Sequence, residues 1–426
     1  MMKKFPGLIA LLLLGMLLLS AGLVMAEPVE INYYMWQDPT FQPIVDAFNA
    51  SQKEVFVKTT ALPSADYETK ILTMLAGGAD IDCYMQKRQT DMFQQAKNGF
   101  IEPLNQYIKT DKYDLKSIKA YAPQVTVSGK VLAIPYRGAG YYTYYNKKIF
   151  AKAGIPTPAE YVKKGEWTWE KYLEVAKKLS SGDGRQYGSI MYSWPHLSLL
   201  PALQKNVLFI DAKGRIKLDE KSLAQSISLR RELEKSKSIV SLAELKATKT
   251  HYTKLFYDGN AAMLLIGEWF PGMMMSGRDT NLLKDYTWND WAITRLPCNS
   301  RKYVTIGAST FNHIYSRSKK KAAAFKFIAW MGSSQGAAVV AKNGFLPPVV
   351  DDGVKAQLAK VVPDTDSLNY LIEPTPRIAP WYTVYGSRVE AALGTLLEKY
   401  LASNMTEKEF MVELKAQLTQ IVKTTN

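Results

Sequence analysis

Residues 129–154 read GKVLAIPYRGAGYYTYYNKKIFAKAG, and this stretch most narrows the folds open to the chain. A short apolar run, Val131–Ile134, meets Pro135, and Gly138 and Gly140 space the turn behind it. A second extended run, Tyr141–Tyr145, passes into a helical pattern near Asn146. Glycine accepts backbone angles that side chains forbid. The spacing therefore describes chain that leaves one sheet, crosses a flexible point and enters another, as a two-lobed protein requires at its hinge.

The chain holds 426 residues, more than one hydrophobic core usually supports, so two domains are expected. Lys3 and Lys4, the apolar run Leu8–Leu19 and the sequence Val24-Met25-Ala26 form the pattern of a secretory signal peptide over residues 1–26. The apolar run is shorter than the ~20 residues of a spanning helix, so cleavage after Ala26 is expected rather than a retained anchor. The first cysteine is Cys83, which leaves no lipid-attachment site at the mature end. The expected compartment is the periplasm, with free secretion from a single-membrane cell as the alternative.

Two cysteines, Cys83 and Cys298, are too few for a disulfide framework, and two separate thiols are expected. His196, His251 and His313 fit no metal-ligand spacing. The formal charge is +15, or +13 once Lys3 and Lys4 are removed. The lysines are spread, as in Lys147/Lys148, Lys163/Lys164, Lys177/Lys178 and Lys319–Lys321, and read as a solvated basic surface rather than a nucleic-acid patch. Attraction of an anionic ligand through Arg88, Arg137 or Arg377 is the alternative use of that charge.

Strand and helix patterns alternate. Val29–Met35 is a strand, Phe41–Asn49 a helix with Ile44, Val45 and Phe48 on one face, and Val55–Thr59 a strand. Tyr67–Leu75 is a helix stopped by Gly77-Gly78, Ala79–Met85 a strand, and 93–99 a helix with its stop. Thr168 caps a helix with Trp169, Tyr172, Leu173, Ala176 and Leu179 inward. A helix runs from Ser316 or Ser318 to about Ser333, and the chain is helical from about Tyr382 onward with a break near Ser403-Asn404. Such alternation implies an α/β protein with mostly parallel sheets and helices on both faces.

Several segments together resemble the extracellular solute-binding proteins of ABC importers, family 1, the maltose-binding-protein-like sugar binders. They are the crossover run above, residues 80–104 (DIDCYMQKRQTDMFQQAKNGFIEPL), residues 256–269 (FYDGNAAMLLIGEW), Trp291–Pro297, residues 305–345, and Pro380-Trp381-Tyr382 with Arg388. The resemblance implies the type II periplasmic-binding-protein fold: two interleaved α/β lobes joined by a hinge, with the ligand cleft between them. It places lobe one at 27–137 plus 308–332 and lobe two at 138–307 plus 333–426. It sets the crossovers near Arg137–Tyr141, Thr305–Ser309 and Met331–Gln335. It implies a carbohydrate ligand, a transient ABC permease partner, no cofactor and no covalent chemistry. A monomer is expected, with no nucleic-acid partner.

Sugar rings present apolar faces and a polar rim, so aromatic platforms and polar or charged hydrogen-bonding groups are the residues to seek. Strand carboxyl ends, where open α/β sheets bind ligands, pick out Trp36, Asp38, Gln86, Arg88 and Trp269. Tyr84 and Trp194 are further platform candidates. The resemblance adds weight to Trp269 and Trp381 as platforms, and Glu268, Tyr382 and Arg388 complete the rim. Asp38 reads equally well as a helix cap. Arg137 stands where maltose binders carry an acidic group, which tells against maltose itself. A binder of polyamines, glycerol phosphates or metals on the same fold, and a secreted glycoside hydrolase, are the rival readings. The hydrolase would need two facing carboxyl groups ~5–10 Å apart, and Glu268, Asp38 and Glu373 are its only suggestion.

Overall fold

The computed structural model describes residues 27–425 apart from 39, 87–89, 207–208, 212, 285–286, 308, 374–376 and 379–382. Its strands, in chain order, are β1 (Val29–Trp36), β2 (Val55–Leu62), β3 (Cys83–Gln86), β4 (Thr126–Val127), β5 (Lys130–Val131), β6 (Ile134–Arg137), β7 (Tyr141–Asn146), β8 (Met263–Gly267), β9 (Trp291–Arg295), β10 (Thr305–Ile306), β11 (Thr310–Ile314) and β12 (Arg377–Ile378). Two main sheets divide the molecule. The first has the order β2-β1-β3-β11-β6 and the second β8-β7-β9.

In the first sheet β1 runs parallel to both β2 and β3, as the strand–helix–strand alternation of the sequence dictates. The late strand β11 is antiparallel to β3 and to β6. Pro135 lies within β6 rather than behind a strand ending at Ile134. The sheet edge tolerates it, because only one side of β6 has a partner.

The second sheet departs from the parallel expectation, since β7 is antiparallel to both neighbours. Its central strand is buried on both faces, which explains the unbroken aromatic run. Tyr141 and Tyr145 enter one core with Tyr172 and Leu265, while Tyr142 and Tyr144 enter another with Phe270 and Trp291. The first sheet has its own core around Ile31, Tyr33, Tyr84, Ile134 and Phe327.

Local signals set the helices. Asn146 caps the helix Lys147–Ala153, its side chain accepting from Lys148 N–H at 3.0 Å. Thr168 caps Trp169–Lys178 through Lys171 N–H. The late helix is Lys321–Met331, and the C-terminal pair is Gly386–Ala402 and Glu407–Thr425, divided where Ser403-Asn404 interrupts. Both cysteines are free. Cys83 is buried, which pushes its thiol pKa up.

Candidate functional site

Strand direction decides which residues meet. β1, β2, β3 and β6 all end on one edge of the first sheet, where Gln86 pairs with Phe311 and Arg137 with Thr310 at the start of β11. In the second sheet β7 begins and β8 and β9 end on one edge, with Tyr141 opposite Gly267 and Tyr142 opposite Arg295. The chain passes between these edges from β6 into β7 and from β10 into β11. A third passage leads through the helix Ser334–Lys342, which puts Val340 in the first core and Ala337 and Ala341 in the second. This passage is a two-faced helix followed by Phe345 in one core and Leu346 in the other.

The three passages touch. Gly138 N–H donates to Leu346 C=O at 2.5 Å, and Ser309 Oγ donates to Arg137 C=O. Thr305 Oγ1 donates to Tyr141 C=O at 2.8 Å and accepts from Tyr141 N–H at 3.1 Å. Gly140 and Gly307 have φ of +155° and +151°, and a Cβ on Gly307 would lie 2.6 Å from Gly140 N. Glycine is required here both by the backbone angle and by the approach of one chain passage to another.

At this junction Arg137 and Glu268 form an ion pair between the ends of the two main sheets. Arg137 Nη2 and Nε lie 2.7 and 3.2 Å from Glu268 Oε1. Glu268 Oε2 accepts from Leu346 N–H at 3.3 Å. The guanidinium also lies over Phe345, 4.4 Å from its centroid, and 5.5 Å from that of Trp269. Burial, the largest single influence, lowers the guanidinium pKa, but Glu268, with Tyr136 and Asp38 adding to it, raises it overall. This corrects two expectations. Arg137 is committed to a protein carboxylate rather than held ready for an anionic ligand, and Glu268 lies in a buried pair rather than on an open rim.

Trp269 follows directly and packs against all three cores. Its indole N–H donates to Tyr252 Oη at 2.9 Å. Around it stand Tyr141, edge-on at 5.6 Å, and Trp194 at 6.0 Å. Trp194 in turn contacts Tyr192, His196 and Tyr252. Trp194, Trp269 and Tyr192 are half-buried, so this lobe-two wall keeps open aromatic surface. Burial pushes the His196 imidazole down to about 4 and raises the Tyr141 hydroxyl pKa, and the two neutral groups share a hydrogen bond of 2.8 Å between Tyr141 Oη and His196 Nε2.

The other predicted residues fall in different settings. Trp36 is 6% exposed, with Phe41 and Tyr67 edge-on at 4.9 and 5.6 Å, so it is core rather than an open platform. Tyr84 is likewise buried, its hydroxyl on Gln95 at 2.8 Å. Asp38 closes a local turn, its Oδ1 accepting from Thr40 N–H at 3.0 Å. Its charge nevertheless reaches Tyr252, whose hydroxyl pKa burial raises most, the Trp269 hydrogen bond lowers and Asp38 raises further. Gln86 is buried and donates to Glu68 Oε2 at 3.1 Å. Arg388 is exposed and donates to Thr424 and Thr425 at 2.8 and 2.7 Å. Arg88, Trp381 and Tyr382 lie outside the described residues.

A cavity of about 1110 Å³ lies outside the aromatic wall, with none of the wall residues in its described lining. Glu68, Asp91 and Phe93 line it on one side, and Val384, Ser387 and Arg388 come to it from the C-terminal part of the chain. The sequence reading missed Tyr141, Tyr252 and His196 as parts of the wall. An aromatic at the first position of the strand behind a glycine turn was the available signal for Tyr141.

The family model for bacterial extracellular solute-binding proteins matches residues 43–361. A binding protein of Brucella abortus is 26% identical over 188 residues, covering 44% of this chain and 43% of that protein, so the chain matches less than half the length of this curated relative. A sugar transporter of Rhizobium etli, solved in an open conformation, superposes with a TM-score of 0.75 at 27% identity, covering 92% of this chain and 99% of that one. An ABC substrate-binding protein of Listeria monocytogenes in complex with cycloalternan gives a TM-score of 0.77 at 22% identity, covering 93% and 99%. The chain belongs to the bacterial extracellular solute-binding proteins and has their two-lobed fold.

Proposed function

We propose that this solute-binding protein is the carbohydrate-capturing component of an ABC importer. It takes up a saccharide in the cleft by closing its lobes and delivers it to the membrane permease. Residues 27–137 plus 308–332 act as one lobe and 138–307 plus 333–426 as the other. The leader over residues 1–26 is removed on export, and the mature chain works as a monomer in the periplasm or outside the cell, without catalysis.

The observation that carries this reading is the lobe-two aromatic wall. Trp194 and Trp269 are half-buried, held by ring contacts and by the Trp269–Tyr252 hydrogen bond, and stand where the two lobes meet. Pre-set indole faces suit the apolar face of a pyranose. The sugar transporter of Rhizobium etli supports the same class. Trp194, Trp269, Trp381, Tyr382, Arg388, Asp38, Gln86 and Arg88 are the residues proposed to meet ligand, with Trp36 and Glu268 shaping the cleft from behind.

Thermal-shift screening against neutral sugars, polyols, polyamines and glycerol phosphates tests this, with reducing-sugar release assayed in parallel. A shift with sugars and no release is expected. A shift with polyamines or phosphates alone, or turnover of an oligosaccharide, would overturn it.

A further inference from the structure

We infer that the ligand is a neutral oligosaccharide of at least three rings, lying from the Trp194–Trp269 wall along the start of the helix Gly386–Ala402 to the cavity beside Arg388. This rests on the carbohydrate reading and narrows it.

Size is the first argument. Pockets that enclose drug-sized ligands measure about 300–1,000 Å³, and a single pyranose sits at the bottom of that range. The cavity at Arg388 alone is about 1110 Å³ and does not include the wall. A lone ring stacked on Trp194 or Trp269 would leave it filled with water.

Continuity is the second. One helix backs both regions. Pro195, next to Trp194, meets the middle of Gly386–Ala402, its Cγ 3.3 Å from where a Cβ on Gly394 would lie. Glu390 on that helix acts electrostatically on Tyr141 of the wall. Ser387 and Arg388, less than one turn earlier, line the cavity. A chain of rings stacked on the wall would follow this helix toward its start and reach Arg388, with Phe93 on the cavity's other side.

Charge is the third. Against Lys97, Lys130 and Arg388 the cavity sets Glu68, Asp91 and Glu102, so neither sign prevails among its described lining residues. At the junction Arg137 is bound to Glu268. Balanced charge offers hydrogen-bonding groups of both kinds to hydroxyls, and no field that selects a carboxylate.

Calorimetry on the mature chain tests this, using a panel of neutral mono-, di-, tri- and tetrasaccharides of several linkages, the common hexitols, and trigalacturonate. Affinity should rise tenfold or more from the mono- to the trisaccharide within the series that binds, and should change little with salt. Phe93→Ala should then cost about fivefold or more on the trisaccharide and leave the weak binding of the monosaccharide unchanged. A monosaccharide or hexitol as the tightest ligand would overturn the size claim and leave the carbohydrate reading standing. Tightest binding of trigalacturonate, weakened by salt, would overturn the neutral claim. Equal loss on both lengths in Phe93→Ala would overturn the placement. Binding of no saccharide at millimolar concentration would overturn this inference and the proposed function together.

Discussion

The Arg137 guanidinium, at the end of β6, lies 2.7 Å from the Glu268 carboxylate, just beyond the end of β8, and both side chains are almost wholly buried. Neither charge has water to fall back on, so the stability of each depends on the other. The pair stands where three chain passages meet, and Leu346 N–H fixes the second carboxylate oxygen.

Glu268→Gln or Arg137→Met should therefore lower the unfolding free energy by about 3–5 kcal/mol, the usual cost of leaving one buried charge unpaired. Combining Arg137→Met with Glu268→Leu should recover part of that loss. Denaturant titration of the three variants checks the claim. Single variants as stable as the parent would show that the pair contributes nothing.

Trp194→Ala should weaken sugar binding by about 1–3 kcal/mol through lost ring contact, with little change in melting temperature. Trp269→Ala should weaken binding and stability together, because Trp269 packs against all three cores. Calorimetry beside thermal melts separates the two effects. Unchanged affinity in both variants would remove the wall from the site.

Gly307→Ala places a Cβ 2.6 Å from Gly140 N at a φ of +151°. A loss of about 1–3 kcal/mol is expected from the strained backbone. In the parent, small-angle scattering should give a smaller radius of gyration with saturating sugar than without. An identical radius in both states would rule out lobe closure.

His313 is fully buried, with Nδ1 donating to Leu132 C=O at 2.8 Å and its ring 5.3 Å from Tyr84. Burial pushes its pKa down to about 4, against the ordinary 6.5 of an unfolded chain. The unfolded state thus binds the extra proton first. The stabilising effect is complete above pH 6.5 and is lost as pH falls toward 4, at up to about 1.4 kcal/mol per pH unit. Stability measured from pH 7 to 4.5 should fall less steeply in His313→Gln than in the parent. Equal slopes would exclude this histidine as the cause.

Local chemistry was legible in the sequence, while long-range pairing was not. Asn146 and Thr168 cap the helices their spacing announced. The Gly138–Gly140 turn does lead from one sheet to another. The direction of β8 and β9 against β7 escaped, because strand polarity is settled by partners more than a hundred residues away. The Arg137–Glu268 pair escaped for the same reason. Trp36 was picked out correctly at a strand end, but Phe41 and Tyr67, which enclose its ring, come from elements whose packing no periodicity reveals.

Among the described residues β6 touches the first sheet only through β11, which follows β7, β8, β9, β10 and the helices between them in the chain. Until residues 310–314 are available, β3 and β6 have a strand-wide gap between them and the first core lacks Phe311, Ile314 and Phe327. An emerging N-terminal segment therefore has no finished domain to collapse into. Such high contact order slows folding. In a chain threaded through a membrane before it folds, as proposed for this one, the same delay keeps the polypeptide export-competent until β11 and Phe327 have been made.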